Sequence, residues 1–344
     1  MKLLKDNFVV IVMILLVLSG ITYLERNTVK LALYQGYLYI KDSTTPLPDT
    51  FIVETLIVPE IKPHPHEIGD SLLDTDHHKI APSNYIRIPK DMWIKEFRVT
   101  LENIDSDNLH HLVLSSTGIK DPLCSNYIFS PIFVQGSEQL PNPITFERPY
   151  RVKLKRGDYL LLNAMFHNPL PPFGRGILRK NIRAKVTMTI DKDSSDKKQL
   201  QPFFFHIADP ESVCNDDPEL GQYFRIPANS KQFTRAQNPV ETPDASQYQF
   251  PRAGKLILAE AHTHSWEGGK ELNLYLNDKK LNTFIPKQAD PKKTPWKWHV
   301  DQYKGQNVKI NASDKLRIET VYSNNFPVVI PDAMGMLLMY FAPN

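Results

Sequence analysis

Cysteine is almost missing from this chain: Cys124 and Cys214 are the only two among 344 residues. So few exclude a disulfide framework. Two options remain, one bond linking the halves of the chain in an oxidising compartment or two buried thiols. Glycine is modest at 14 residues, with neither a Gly-rich phosphate loop nor a Gly-x-Ser-x-Gly elbow, so nucleotide cradling and α/β-hydrolase nucleophilic catalysis fall away. An excess of either charge is lacking too. With 41 basic and 38 acidic side chains, a net charge of +3 and no basic stripe interleaved with aromatics, nucleic acid is not an expected partner. The runs Lys197-Lys198 and Lys292-Lys293 read as solvated loops.

Long apolar runs are absent except for residues 8–24 (FVVIVMILLVLSGITYL), which Lys2 and Lys5 precede. That pattern predicts a signal anchor or signal peptide over residues 1–25. It places the rest of the chain outside the cytoplasm, either membrane-anchored or, if the segment is cleaved, secreted. Beyond it no stretch shows the 3.6-residue period of an amphipathic helix.

Proline is plentiful, with 28 residues set between short β-branched and aromatic runs as turn punctuation. After a linker over 26–50, strands are expected at 51–58, 92–101, 109–114, 150–154, 159–166 and 184–190. A second series follows at 202–207, 221–226, 255–261, 271–276, 308–310, 316–322 and 335–341. Within 92–101, Trp93, Phe97 and Val99 share a face on which Lys95 is the polar exception. The charged stretch 191–201 (DKDSSDKKQLQ) reads as a linker. The expectation is an all-β chain of two β-sandwich domains, residues 51–192 and 202–344.

Eleven histidines are present, and several fall at strand ends. His110 and His111 open an apolar strand, His167 closes one, His262-Thr-His264 closes another, and Asp332-Ala-Met334 opens the last. Residues two apart in a strand point to one face, so His262 and His264 can chelate a single ion. Consecutive His110 and His111 point apart unless the strand end is twisted or bulged. Imidazole suits zinc, copper, iron or nickel, whereas an added thioether such as that of Met334 points to copper. His110, His111 and His167 alone would hold either zinc or copper. His77 and His78 read as loop residues, His206 and His299 as packed among aromatics, and His64 and His66 as exposed in a Pro-rich loop.

The order His-His, a lone His closing a later strand, His-Thr-His before a Gly pair, and Asp-x-Met resembles the copper type II, ascorbate-dependent monooxygenases. These are the peptidylglycine α-hydroxylating and dopamine β-hydroxylating enzymes, and the likeness spans about residues 50–341. The resemblance implies two tandem jelly-roll-like sandwiches after the N-terminal anchor helix. It implies two coppers facing each other across an open, solvent-filled cleft, one on His110, His111 and His167 and the other on His262, His264 and Met334. It also implies C–H hydroxylation of a small molecule with O2 and electrons from ascorbate. The chain departs from the peptide-amidating branch at the substrate positions. Glu260 stands where that branch has Arg, and Met336 and Leu338 stand where it has Asn and Tyr. Peptide amidation is therefore not expected: Glu260 suits a cationic substrate, Met336 and Leu338 an apolar one. The alternative is a copper-binding protein of the same fold that stores or senses the ion without turnover.

Overall fold

The computed structural model describes Tyr34, Tyr37, Asp42 and residues 45–64, 78–81, 84–119, 128–171, 174–193, 196–207, 223–236, 248–250, 252–265, 268–292 and 294–344. The apolar run 8–24 and both cysteines lie outside these residues. Among the described residues no helix is long and apolar enough to cross a membrane. The chain divides into two compact units, Met1–Pro48 and Asp49–Asn344. All the strands named here belong to the second.

Among the described residues from Asp49 onward the protein is all-β, with a 3-10 turn at Ser106–Asn108. The first half contains β1 (Thr50–Glu54), β2 (Val58–Ile61), β3 (His78–Ala81), β4 (Tyr85–Arg87), β5 (Met92–Glu102), the 3-10 turn (Ser106–Asn108), β6 (Leu109–Ser116), β7 (Ser130–Gly136), β8 (Ile144–Thr145), β9 (Tyr150–Leu154), β10 (Tyr159–His167) and β11 (Arg179–Ile190). The second contains β12 (Lys198–Ile207), β13 (Tyr223–Ile226), β14 (Ser230–Ala236), β15 (Tyr248–Gln249), β16 (Gly254–Thr263), β17 (Gly269–Leu276), β18 (Lys279–Phe284), β19 (Lys287–Asp290), β20 (Thr294–His299), β21 (Tyr303–Ile310), β22 (Lys315–Asn324) and β23 (Ile330–Pro343).

One large sheet, in the order β1-β11-β5-β9-β12-β23-β16-β21, runs through both halves. Its seam is a parallel pairing of Tyr150–Val152 on β9 with Lys198–Leu200 on β12. The expected linker therefore ends at residue 197, because β12 begins inside the charged stretch. The two halves expected as separate domains share this sheet within a single compact unit. A smaller sheet, β3-β10-β6-β7, faces the first half of the large one, where Phe97 on β5 stacks on Phe133 of β7 at 5.0 Å. A third sheet, β14-β22-β17-β18, faces the second half, and Leu272, Leu274 and Ile318 pack there against Phe203, Phe205 and Leu337.

Lys95, the exception in the alternation of β5, is where the register with β11 shifts: Ile94 pairs with Ile190 and Glu96 with Thr189. The extra residue flips the pleat, so Met92 and Ile94 are buried before it and Phe97 and Val99 after it. Trp93 accordingly does not share the buried face of Phe97.

β16 and β23 are covered on both faces. Ala259, Ala261, Leu337, Met339 and Phe341 join the core of the second half. By the two-residue period Glu260, His262, Met336 and Leu338 point the other way. That side is covered by β7 of the first half, where the Tyr340 hydroxyl donates to the Ile132 carbonyl at 3.0 Å. The strand that ends in His-Thr-His is thus pressed against a strand of the other half.

Candidate metal centre

The conflict posed by His110 and His111 is resolved by a bulge. On the β6–β10 ladder Met165 pairs with His111 and Phe166 with Leu109, so His110 is the extra residue. Both rings then point to the same place, with centroids 4.6 Å apart. The 3-10 turn just upstream fixes the approach: the Asn108 side-chain amide donates to the His167 carbonyl at 3.0 Å, tying the start of β6 to the end of β10. His167 lies 6.0 Å from His110 between ring centroids, and its Nε2–H donates to the Asp107 carbonyl at 3.0 Å.

The second group comes from β16 and meets the first directly. His110 Nε2 and His264 Nε2 are 2.7 Å apart, and the His262 ring stands 5.6 Å from His110 and 5.4 Å from His264. One donor atom from each of His110, His262 and His264 falls within 4.8 Å of the others. His111 stands 6.0 Å from His262. All five histidines are buried. The resemblance implies two triplets separated by a solvent-filled cleft; the structure instead gathers the imidazoles into one buried group. The cause is the continuous sheet, which sets β16 against β7 and brings the ends of β6 and β16 together.

Tyr322 finishes the end of β16. Its hydroxyl accepts from the His264 backbone N–H at 2.9 Å and donates to the Met334 carbonyl at 2.5 Å. Met334 is buried on β23, on the same face as Met336, which is the register partner of His262. A thioether also lies against an imidazole elsewhere in the group, that of Met165, whose Sδ is 3.0 Å from His110 Nδ1.

The residues present fit a transition metal. Five imidazoles offer the nitrogen donors that copper and zinc take. His111 has two buried ring nitrogens without a hydrogen-bond partner, a costly state that a cation would relieve. Burial, then the neighbouring His262 and His264, hold His111 well below the usual imidazole range. It stays neutral, with a lone pair free for coordination.

The three residues expected to meet substrate are brought together. Glu260, Met336 and Leu338 line a small cavity beside His262, together with Phe204 and Gln139. The cavity offers about 10 Å³, room for roughly one water, so no organic substrate fits it as it stands. Burial pushes the Glu260 carboxyl up to about 8, a rise that the Gln302 hydrogen bond opposes and the nearby Glu138 carboxylate supports. Gln302 Nε2 donates to Glu260 Oε1 at 2.5 Å. At neutral pH Glu260 is therefore protonated and presents no charge to a cation.

Several side chains around the group were not anticipated. Glu138, just beyond β7, touches His262 Nδ1 with Oε1. From the second half, Trp296 Nε1 donates to Asp107 Oδ2 at 2.6 Å and Val300 N–H to the Glu138 carbonyl at 3.1 Å. With Gln302, these make residues 296–302 a strap along the rim of the group. The weak signal for the strap was the Trp-Lys-Trp-His run.

Other histidines depart from expectation. His64 is buried rather than exposed, and its Nε2 accepts from the Asn168 N–H at 3.4 Å. His78 opens β3 and pairs with His167 in register instead of lying in a loop. His77 and His66 lie outside the described residues. His299 is not packed: it is partly exposed and bonded to Asp301 at 3.0 Å.

His206 is buried as expected, with both ring nitrogens unpartnered, and burial lowers it to about 4. A histidine depressed from 6.5 contributes stability above the unfolded value and loses it as pH falls from about 6.5 to about 4. The loss is roughly 3 kcal/mol. His206→Leu, of similar size, is expected to remove that slope and to be at least as stable as the parent at pH 7.5. Urea unfolding of both proteins at pH 7.5 and pH 4 measures it; an unchanged slope in the variant contradicts the assignment.

No family model matches the sequence, and neither does any curated protein. Solved structures align over most of the chain at low identity. The STIV MCP is 10% identical with a TM-score of 0.35, over 85% of this chain and 97% of that one. PNGF-II is 11% identical with a TM-score of 0.35, over 84% of this chain and 65% of that one. The major capsid protein P2 from bacteriophage PM2 is 7% identical with a TM-score of 0.31, over 86% and 98%. Likenesses this distant carry no argument about activity.

Proposed function

We propose that this chain is a copper protein that uses its histidine group to hydroxylate a C–H bond of a small molecule with O2, drawing electrons from a donor such as ascorbate. The observation that carries the reading is the convergence of His110 from one half with His262 and His264 from the other. The residues that meet are those of the His-His and His-x-His patterns, in the order shared with the copper type II monooxygenases. The reading includes that family's architecture of two jelly-roll-like sandwiches in tandem. It also includes an N-terminal anchor holding them outside the cytoplasm.

His110, His262 and His264 would hold the ion, with His111 and His167 beside them and Met334 as the thioether that the resemblance adds. Bound copper would supply the one-electron chemistry that O2 activation requires. A pair of nitrogens on one tetrahedral ion stands about 3.3 Å apart, against 2.7 Å between the Nε2 atoms of His110 and His264. A small ring rotation therefore suits one shared ion, whereas two ions require these rings to separate. One copper per chain is our reading of this arrangement, in place of the two that the resemblance implies.

A second reading, copper held without turnover, is favoured by the burial of all five histidines and the small size of the adjoining cavity. Metal analysis and ascorbate-driven O2 uptake of the full-length protein separate the two. The enzyme reading expects about one copper per chain and uptake that falls to the free-copper background in His262→Ala and Met334→Ile. Copper binding with uptake at background in the parent selects the second reading. A preparation that takes zinc and refuses copper overturns both.

A further inference from the structure

The turn after β7 is built around an ionisable side chain that needs explaining. Glu138 is buried, with its side chain 3% exposed, and its carboxylate Oε1 touches His262 Nδ1. Among the described residues no Lys or Arg pairs with it, and Oε2 has no hydrogen-bond partner. A carboxylate so enclosed is costly unless a positive charge compensates it. The group of imidazoles on the far side of His262 is where such a charge would lie.

The backbone around Glu138 is fixed from both halves. Gly136 N–H donates to Gln139 Oε1 at 2.7 Å, Gln139 Nε2 donates to the Ala261 carbonyl at 2.6 Å, and Val300 N–H donates to the Glu138 carbonyl at 3.1 Å. Gly136 makes the space. A Cβ there would stand 2.4 Å from Glu138 Oε2 and 2.8 Å from His262 Nδ1. Its backbone avoids the left-handed region, so only this close approach calls for glycine.

We infer that Glu138 is a positioning residue that fixes the tautomer and ring orientation of His262. An ionised carboxylate accepts only, so it keeps the proton on Nδ1 and leaves the Nε2 lone pair facing His110 and His264. The carboxylate also places a negative charge behind the ring, which favours the dication over the monocation. The inference rests on the copper reading of the site and extends it: a residue of the first half tunes a metal-binding residue of the second.

The test compares Cu(II) and Cu(I) affinity of the full-length protein by chelator competition, for the parent, Glu138→Gln, Glu138→Leu and Gly136→Ala. Glu138→Gln keeps an acceptor for Nδ1–H but loses the charge, so Cu(II) affinity is expected to fall by about tenfold and Cu(I) affinity by less. Glu138→Leu loses both features and is expected to lower affinity for both ions by roughly 10–100-fold. Gly136→Ala displaces the carboxylate without altering it and is expected to follow Glu138→Leu, which covers the case in which the leucine variant fails to fold. A purely structural role would lower both affinities together in every variant, and that result overturns the inference. So do variants equal to a parent that binds copper. A parent that binds neither ion overturns the copper reading itself, and the positioning role with it.

Discussion

His264→Ala will cost the protein more than about 100-fold in copper affinity while leaving it folded. Removing a residue that merely orients a metal-binding histidine costs about 10–100-fold, and in the proposed centre His264 would supply a donor atom itself. It is one of three residues whose donors lie within 4.8 Å of each other, and its Nε2 faces His110 Nε2 at 2.7 Å. Two imidazoles from different strands then remain where three converged. The fold should survive because the backbone of residue 264 keeps its bond to the Tyr322 hydroxyl, which also holds the Met334 carbonyl. Chelator competition gives the affinity and thermal unfolding of the metal-free protein gives the fold. His299→Ala, a partly exposed histidine bonded to Asp301, is the matched control and should bind copper as the parent does. Equal affinities for the two variants would remove the metal centre from its assigned place.

The strands that carry the site were legible because they obey a local rule. β6, β9, β10, β12, β16 and β23 each show as an apolar, β-branched or aromatic run between turn residues, and the histidines of β6, β10 and β16 stand at strand ends as expected. That the strand must twist or bulge at His110 was also legible, since two consecutive ligands violate the two-residue period, and of the two the structure has the bulge. The identity of what each histidine meets was not. His110 and His264 are 154 positions apart, and their meeting depends on β12 pairing in parallel with β9, which begins within a charged stretch that reads as a linker. No local propensity encodes which edge a strand chooses. Glu138 was hidden for a related reason. β7 opens with Ser130-Pro131, and proline reads as punctuation, yet Pro131 sits where the β6–β7 register shifts, a position that tolerates it. Without β7 in view, nothing singled out the acidic residue two positions past its end.

The seam has its own anchor, and its removal is the other large effect expected. Arg151 on β9 and Asp191 at the end of β11 form an ion pair at 2.6 Å with side chains only 4% and 7% exposed. The guanidinium also donates to the carbonyls of Phe146 and Tyr150, while the Asp193 N–H donates to the carboxylate. Burial pushes the Asp191 carboxyl up, but Arg151 and the Asp193 N–H outweigh it and hold the group below its usual value. The stability it confers is therefore present above the unfolded carboxylate range and lost as pH falls through that lower value. Asp191→Ala leaves a buried cation with two carbonyls and no counter-charge, and is expected to destabilise the protein by about 3–5 kcal/mol in urea unfolding at neutral pH. Arg151→Met with Asp191→Leu should recover most of that loss, because the pair's desolvation cost disappears along with its attraction. The double variant also separates two roles. If the pair only stabilises, copper affinity returns with the fold; if it alone sets β12 in register beside β9, the protein refolds with the two histidine groups apart and the affinity stays low. The backbone bonds from Lys198 N–H to the Pro149 carbonyl and from Asp191 N–H to the Trp93 carbonyl pin the connection independently of the side chains. Recovery of affinity is therefore the expected result.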